Sequence, residues 1–161
     1  MPEISIKQLE PRPTAVIRTT VETPKLAAVF DDLFPATWQA VQEAGRTPAG
    51  PPFGRYFDYS DTMVDLEAGV PLDAPIAPAG RVTPSSLPGG EAVCLVHIGP
   101  YTTMGAAHDA LEVWMAENGR HAAGPVWESY VTDPSGEPDS SKWRTEIIQP
   151  VVPLSTTGAT D

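Results

Sequence analysis

The chain has 161 residues and a formal net charge of −11, from 10 Lys and Arg against 21 Asp and Glu. That length fits one domain of ordinary size, and the acidity argues against a partnership with nucleic acid, whose backbone is densely negative. A single cysteine, Cys94, excludes an intrachain disulfide framework, and no apolar run approaches the ~18–20 residues that span a membrane.

The first ten residues, Met1 to Glu10, lack the basic-then-apolar pattern of an export signal, so a soluble, cytoplasmic chain is expected. Ile4 to Leu9 and Thr14 to Thr20 read as one strand, bent at Pro11 and Pro13. A helix start follows: Thr23 can cap free N–H groups and Pro24 suits the first helical position. Leu26, Val29, Phe30, Leu33, Phe34, Trp38 and Val41 then recur at three and four, one apolar helix face. Pro35 predicts a kink or two short helices, and Gly45 a stop. Gly50 to Phe57 predicts a strand, Asp58 to Asp61 a turn, and the alternating stretch Thr62 to Leu72 a half-buried strand. Residues 73–89 carry four prolines and read as a linker.

The second half repeats this order. Ala92 to Ile98 predicts a strand in which Cys94 is a small buried hydrophobe. Gly99-Pro100-Tyr101 turns into a helix capped by Thr102 or Thr103. Its apolar face holds Met104, Ala107, His108, Leu111, Trp114 and Met115, with His108 read as a satisfied core histidine. Asn118-Gly119 ends it. Gly124 to Val131 is the next strand, Thr132 to Lys142 a polar turn, and Trp143 to Val151 the last strand. Gly50-Pro51-Pro52-Phe53-Gly54-Arg55-Tyr56 aligns with Gly124-Pro125-Val126-Trp127-Glu128-Ser129-Tyr130. Asp65 to Pro71 aligns with Arg144 to Pro150. The sequence therefore predicts one domain over 1–161: repeat one at 3–72, linker 73–89, repeat two at 90–152 and a flexible tail at 153–161. The fold class is α+β: two βαββ repeats with pseudo-two-fold symmetry, antiparallel sheets, helices on one side and a ligand cleft between the repeats.

These motifs resemble the GyrI-like small-molecule-binding family, which includes gyrase-inhibitory proteins and the effector-binding domains of AraC-type and MerR-type multidrug regulators. The carriers are Gly99-Pro100-Tyr101 before a helix, Trp127-Glu128-Ser129-Tyr130 with Asp133-Pro134, and Thr145-Glu146-Ile147 with Pro150. The resemblance implies a hydrophobic cleft and a glutamate that meets lipophilic cations; Glu128 holds the matching position. In the regulators the domain follows a DNA-binding module. The sequence has no room for one before residue 3, so a stand-alone binder of lipophilic, often cationic aromatic compounds is expected, with no direct contact to nucleic acid or membrane. Two alternatives follow from the same resemblance. One is a hydrolase of cyclopropane-bearing alkylating toxins that uses the pocket glutamate; the other is a protein–protein inhibitor of the gyrase-inhibitor type.

Glu128 and Tyr130 lie two apart on one strand and share a face; Trp127, Ser129 and Val131 take the other. Tyr56 shares its face with Gly54. A carboxylate among rings attracts a lipophilic cation through charge and through the ring faces; in an enzyme it could act as a general base. The candidate ligand-binding residues are Glu128, Tyr130, Tyr56, Tyr101, Trp127, Phe53, Trp143, Glu67 and Glu146. Spacing supports no metal site at His97, His108 or His121, no phosphate loop and no Ser-His-Asp arrangement. No cofactor is expected.

Overall fold

A computed structural model describes residues 3–134 and 136–153. In chain order it contains β1 (Glu3–Leu9), β2 (Arg12–Glu22), α1 (Leu26–Glu43), β3 (Phe53–Tyr59), β4 (Met63–Pro71), β5 (Thr83–Leu87), β6 (Gly90–Ile98), α2 (Met104–Glu117), β7 (Arg120–Ala122), β8 (Val126–Tyr130) and β9 (Arg144–Pro153). Short 3-10 turns at Thr23–Lys25 and Tyr101–Thr103 lead into the two helices. The chain is α+β and built from two βαββ repeats, β2-α1-β3-β4 and β6-α2-β8-β9. It divides into two compact units, Glu10–Gly89 and the residues through Leu9 together with those from Gly90 onward.

In the first unit the sheet order is β3-β4-β2-β5, antiparallel throughout. Strand alternation sends Ala15 and Ile17 of β2, and Ala68 and Val70 of β4, toward α1. There they pack with Leu33, Ala40 and Val41, all buried. Burying a Leu or Val side chain of this kind is worth about 1.5–3 kcal/mol. The opposite face carries charge: Glu67 of β4 stands in register between Arg18 of β2 and Arg55 of β3.

In the first unit the structure corrects several local expectations. Pro35 does not divide the helix: α1 is continuous over 18 residues, with Leu33, Thr37, Ala40 and Val41 buried on both sides of the proline. Tertiary burial outweighs one lost hydrogen bond. Thr23 does not cap; its hydroxyl donates to the Ser60 carbonyl instead. Asp58 and Tyr59, expected in a turn, extend β3. The 73–89 segment, expected to be a linker, contains β5, which pairs with β2. The tail expected over 153–161 falls outside the described residues from 154 on.

The second unit repeats the first. Its order is β1-β6-β9-β8, with β7 adding to β9. Val93 and Leu95 of β6, and Ile147 and Val151 of β9, pack against Met104, Ala107, Leu111 and Met115 of α2. Neither threonine supplies a side-chain cap to α2. The two stretches read as one bent strand are separate strands: β1 pairs with β6, whereas β2 pairs with β4 and β5. Each βαββ repeat thus takes its fourth strand from the segment that precedes the other repeat in the chain.

Candidate functional site

Strand β8 lies beside β9, with Glu128 opposite Ile147 and Tyr130 opposite Thr145. Ile147 belongs to the core under α2, so alternation turns Glu128 and Tyr130 toward the helix side of the sheet. Helix α2 presents His108 one turn after buried Met104, inside its apolar stripe. His108 Nε2 lies 2.7 Å from Glu128 Oε2, and the Tyr130 hydroxyl donates to Glu128 Oε1 at 2.8 Å. Both carboxylate oxygens are therefore hydrogen-bonded, and Glu128 is 9% exposed. A carboxylate this buried needs such partners, because an unsatisfied one is costly.

Aromatic rings stand beside the acid. The Tyr101 ring meets Tyr130 edge-on at 5.6 Å and Trp143 at 5.0 Å. Trp143 Nε1 donates to the Glu137 carbonyl at 2.8 Å, which fixes the indole. Tyr101 is placed by the turn between β6 and α2, where Gly99 takes a φ of 138° that favours glycine. Burial pushes the Tyr101 phenol above its ordinary value of 10.0, and the charges of Glu128 and Asp133 push it further the same way. Such a group of rings and carboxylates can attract a cation and stack a flat ligand, and it repels anions.

Of the residues singled out in the sequence, Glu128, Tyr130, Tyr101 and Trp143 come together. Trp127, 4% exposed, points to the other face of β8. Glu146 pairs with Ser129 and shares that other face, with Arg144 Nη2 3.6 Å from its carboxylate. Phe53, Tyr56 and Glu67 belong to the first unit. Phe53 is buried there, and Tyr56 packs near Tyr59 at 6.3 Å. Glu67 is buried, with Oε1 3.6 Å from Arg55 Nη1. Burial raises the Glu67 carboxyl above its ordinary 4.5, partly offset by Arg55 and Arg18.

His108 is the residue that sequence reasoning misjudged. It is satisfied, but it is not core: its side chain is 30% exposed and its partner is the candidate acid. Its helical spacing from Met104 and Leu111 was the available signal, since that spacing aims it at the sheet. Among the described residues, no group of three His, Cys, Asp or Glu side chains could hold a metal. No helix among them is long and apolar enough to cross a membrane. Two shallow depressions, about 360 and 440 Å³, lie in the first unit beside α1 and are lined by none of the residues around Glu128.

Known proteins agree with this architecture. The chain is 25% identical to the C-terminal domain of EcmrR, over 95% of this chain and 99% of that one, with a TM-score of 0.84. In the EcmrR–DNA complex the likeness covers 93% of this chain and 57% of that chain, at 26% identity and a TM-score of 0.82. The chain thus spans a little over half the length of that protein. SAV2435, solved bound to tetraphenylphosphonium, is 16% identical over 99% of each chain, with a TM-score of 0.62. A hydrolase from Listeria innocua is 14% identical over 93% of this chain and 92% of its own, with a TM-score of 0.66. These last two share the fold. No protein of curated function matches. The GyrI-like small molecule binding domain family matches residues 2–152, nearly the whole chain, and the protein belongs to that family.

Proposed function

We propose that the residues around Glu128 capture lipophilic, cationic aromatic compounds. One observation carries the reading: a 9% exposed carboxylate stands among Tyr130, Tyr101 and Trp143. A hydrated ammonium or a metal ion would lose its water shell here without enough oxygen ligands in return. A bulky organic cation has little water to lose, and it gains ring contact and the field of the carboxylate. The chain's net charge of −11 adds long-range attraction for cations. Tetraphenylphosphonium, the ligand in the SAV2435 structure, is the natural probe. Calorimetric titration of wild type and Glu128→Gln tests the reading. The variant is expected to lose about 1–3 kcal/mol for the cation, the scale of a lost paired charge, and little for neutral triphenylphosphine oxide. Equal binding of both compounds by both proteins would remove Glu128 from the site.

A second reading, hydrolysis of a cyclopropane-bearing alkylating toxin, is favoured by the His108–Glu128–Tyr130 hydrogen bonds. These fix a carboxylate able to take a proton from water. The water oxygen would bond to the ring carbon as a ring C–C bond breaks, its electron pair passing into the conjugated acceptor. Turnover of many substrate molecules per protein would establish this reading, and a single stoichiometric event would eliminate it.

A further inference from the structure

His97, on β6, is not among the residues assigned to ligand contact, yet it grips the turn that carries Tyr101. Its Nε2 lies 3.2 Å from the Pro100 carbonyl oxygen and 3.0 Å from Thr103 Oγ1. The Thr103 hydroxyl itself donates to the Pro100 carbonyl at 2.8 Å. The Pro100 carbonyl can only accept, so its contact with Nε2 takes a ring N–H, which Thr103 Oγ1 can share while its own proton goes to the same carbonyl. The acceptors flank Tyr101 on either side in sequence. One further bond, from the Gly99 N–H to the Trp143 carbonyl at 2.7 Å, ties the same turn to the second ring.

The backbone bonds of the turn, from Thr103 N–H to the Pro100 carbonyl and from Met104 N–H to the Tyr101 carbonyl, set its local winding, and His97 is the side chain of β6 that ties it to the sheet. Gly99 is conformationally permissive, and neither Thr103 nor any neighbouring side chain caps α2. Tyr101 is 39% exposed, so burial alone holds its ring weakly. We infer that His97 is a positioning residue: by bracing Pro100 and Thr103 it holds the Tyr101 ring against Tyr130 and Trp143. This inference rests on the proposed reading of the Glu128 surroundings as the ligand site.

Removal of the imidazole should free the ring without unfolding the unit, because His97 lies at the end of β6 rather than in the cluster under α2. Two measurements test the brace. The first uses no ligand. The protein has four tyrosines, so 3-fluorotyrosine labelling gives a short fluorine spectrum in which Tyr101→Phe identifies the Tyr101 line. In His97→Ala that line should move toward its solvent-exposed position, and the Tyr130 line should shift with it as it loses its ring neighbour, while the lines of Tyr56 and Tyr59 in the first unit stay. His97→Gln, whose amide N–H can reach the same oxygens, should restore it. A Tyr101 line unchanged in His97→Ala overturns the brace, whatever any ligand does.

The second measurement titrates tetraphenylphosphonium into His97→Ala, Tyr101→Ala and the double variant. His97→Ala should weaken binding by about fivefold to tenfold, the scale of one lost hydrogen bond's influence. The double variant should bind no more weakly than Tyr101→Ala alone, because His97 acts through that ring. Independent, additive losses overturn the inference. Full affinity in Tyr101→Ala would instead count against the site itself, and the fluorine spectrum would still decide on the brace.

Discussion

His108 of α2 and Glu128 of β8 meet at 2.7 Å, so the carboxylate already has a partner from the helix above it. An arriving cation therefore competes with an internal donor. Removing that donor has two opposite consequences. His108→Ala should cost about 1.5 kcal/mol of stability, the low end for a bond to a charged group because the imidazole is 30% exposed. The same change should tighten tetraphenylphosphonium binding by a few fold, since the field of Glu128 is less compensated. Urea unfolding and calorimetry on His108→Ala, Glu128→Gln and the double variant would read both effects. If His108→Ala binds the cation more weakly, the competition argument is wrong.

Tyr130→Phe isolates the other bond to Glu128. The ring and its packing against Tyr101 remain, and only the hydroxyl that donates at 2.8 Å is lost. Stability should fall by about 1–2 kcal/mol, because a buried carboxylate oxygen loses its donor. The Tyr130→Phe protein should therefore unfold at lower urea with an unchanged slope. An unchanged midpoint would mean that the oxygen finds water instead.

Gly69 shows how closely β2 and β4 approach. A Cβ at this position would fall on the Ala15 carbonyl and crowd Val16 Cα, both backbone atoms that cannot rotate away. Gly69→Ala must push β4 off β2 at the centre of the first unit's sheet. A loss of roughly 3 kcal/mol or more is expected, in the range of severe core disruption. Near-wild-type urea stability in this variant would show that the two strands separate cheaply.

Much of this architecture is legible in the sequence, and the misses have identifiable causes. The repeat is visible because Gly-Pro before β3 and β8, and the aromatic and Tyr positions within those strands, recur in order, and the same sheet order carries them. Strand β5 was hidden by Pro84, which normally argues against a strand. Here β5 forms an edge of the first unit's sheet, where a missing N–H is tolerated. The separation of β1 from β2 is hidden because both read as strand; which partner each finds depends on segments some 40 to 90 residues away. Glu128, Tyr130 and Tyr101 are legible from their motifs. His108 reads as a satisfied core histidine because a histidine in an apolar stripe looks like core until the opposing strand places an acid beneath it.

Glu67 gives the fold a pH signature. Burial raises its carboxyl above 4.5 more than Arg55 and Arg18 lower it, and no hydrogen bond reaches its Oε1 among the described residues. The folded state therefore holds this proton more tightly than the unfolded chain. Between the unfolded value and the raised folded value the native state binds more protons, so stability falls as pH rises through that window and levels off above it. Glu67→Gln stays neutral throughout and should lack this part of the slope. Its stability relative to wild type should therefore increase from about pH 4.5 upward. Urea midpoints of both proteins in steps from pH 4 to pH 8 would show it, and parallel profiles would rule the effect out.

The two faces of β8 and β9 carry different acids. Glu128 faces α2, while Glu146 and Trp127 face away from it. Glu146 already has Arg144 as a counter-ion at 3.6 Å. If the ligand sits beside Glu128, charge on the far face is separated from it by the sheet. Glu146→Gln should then leave tetraphenylphosphonium affinity within about twofold of wild type, as expected for a distant and paired charge. Glu128→Gln, which removes the same charge from the same chain, should not. The comparison holds net charge constant, so it separates a local contact from the general pull of an acidic protein. Equal losses in the two variants would show that only that general pull is at work, and a loss confined to Glu146→Gln would move the ligand to the opposite face.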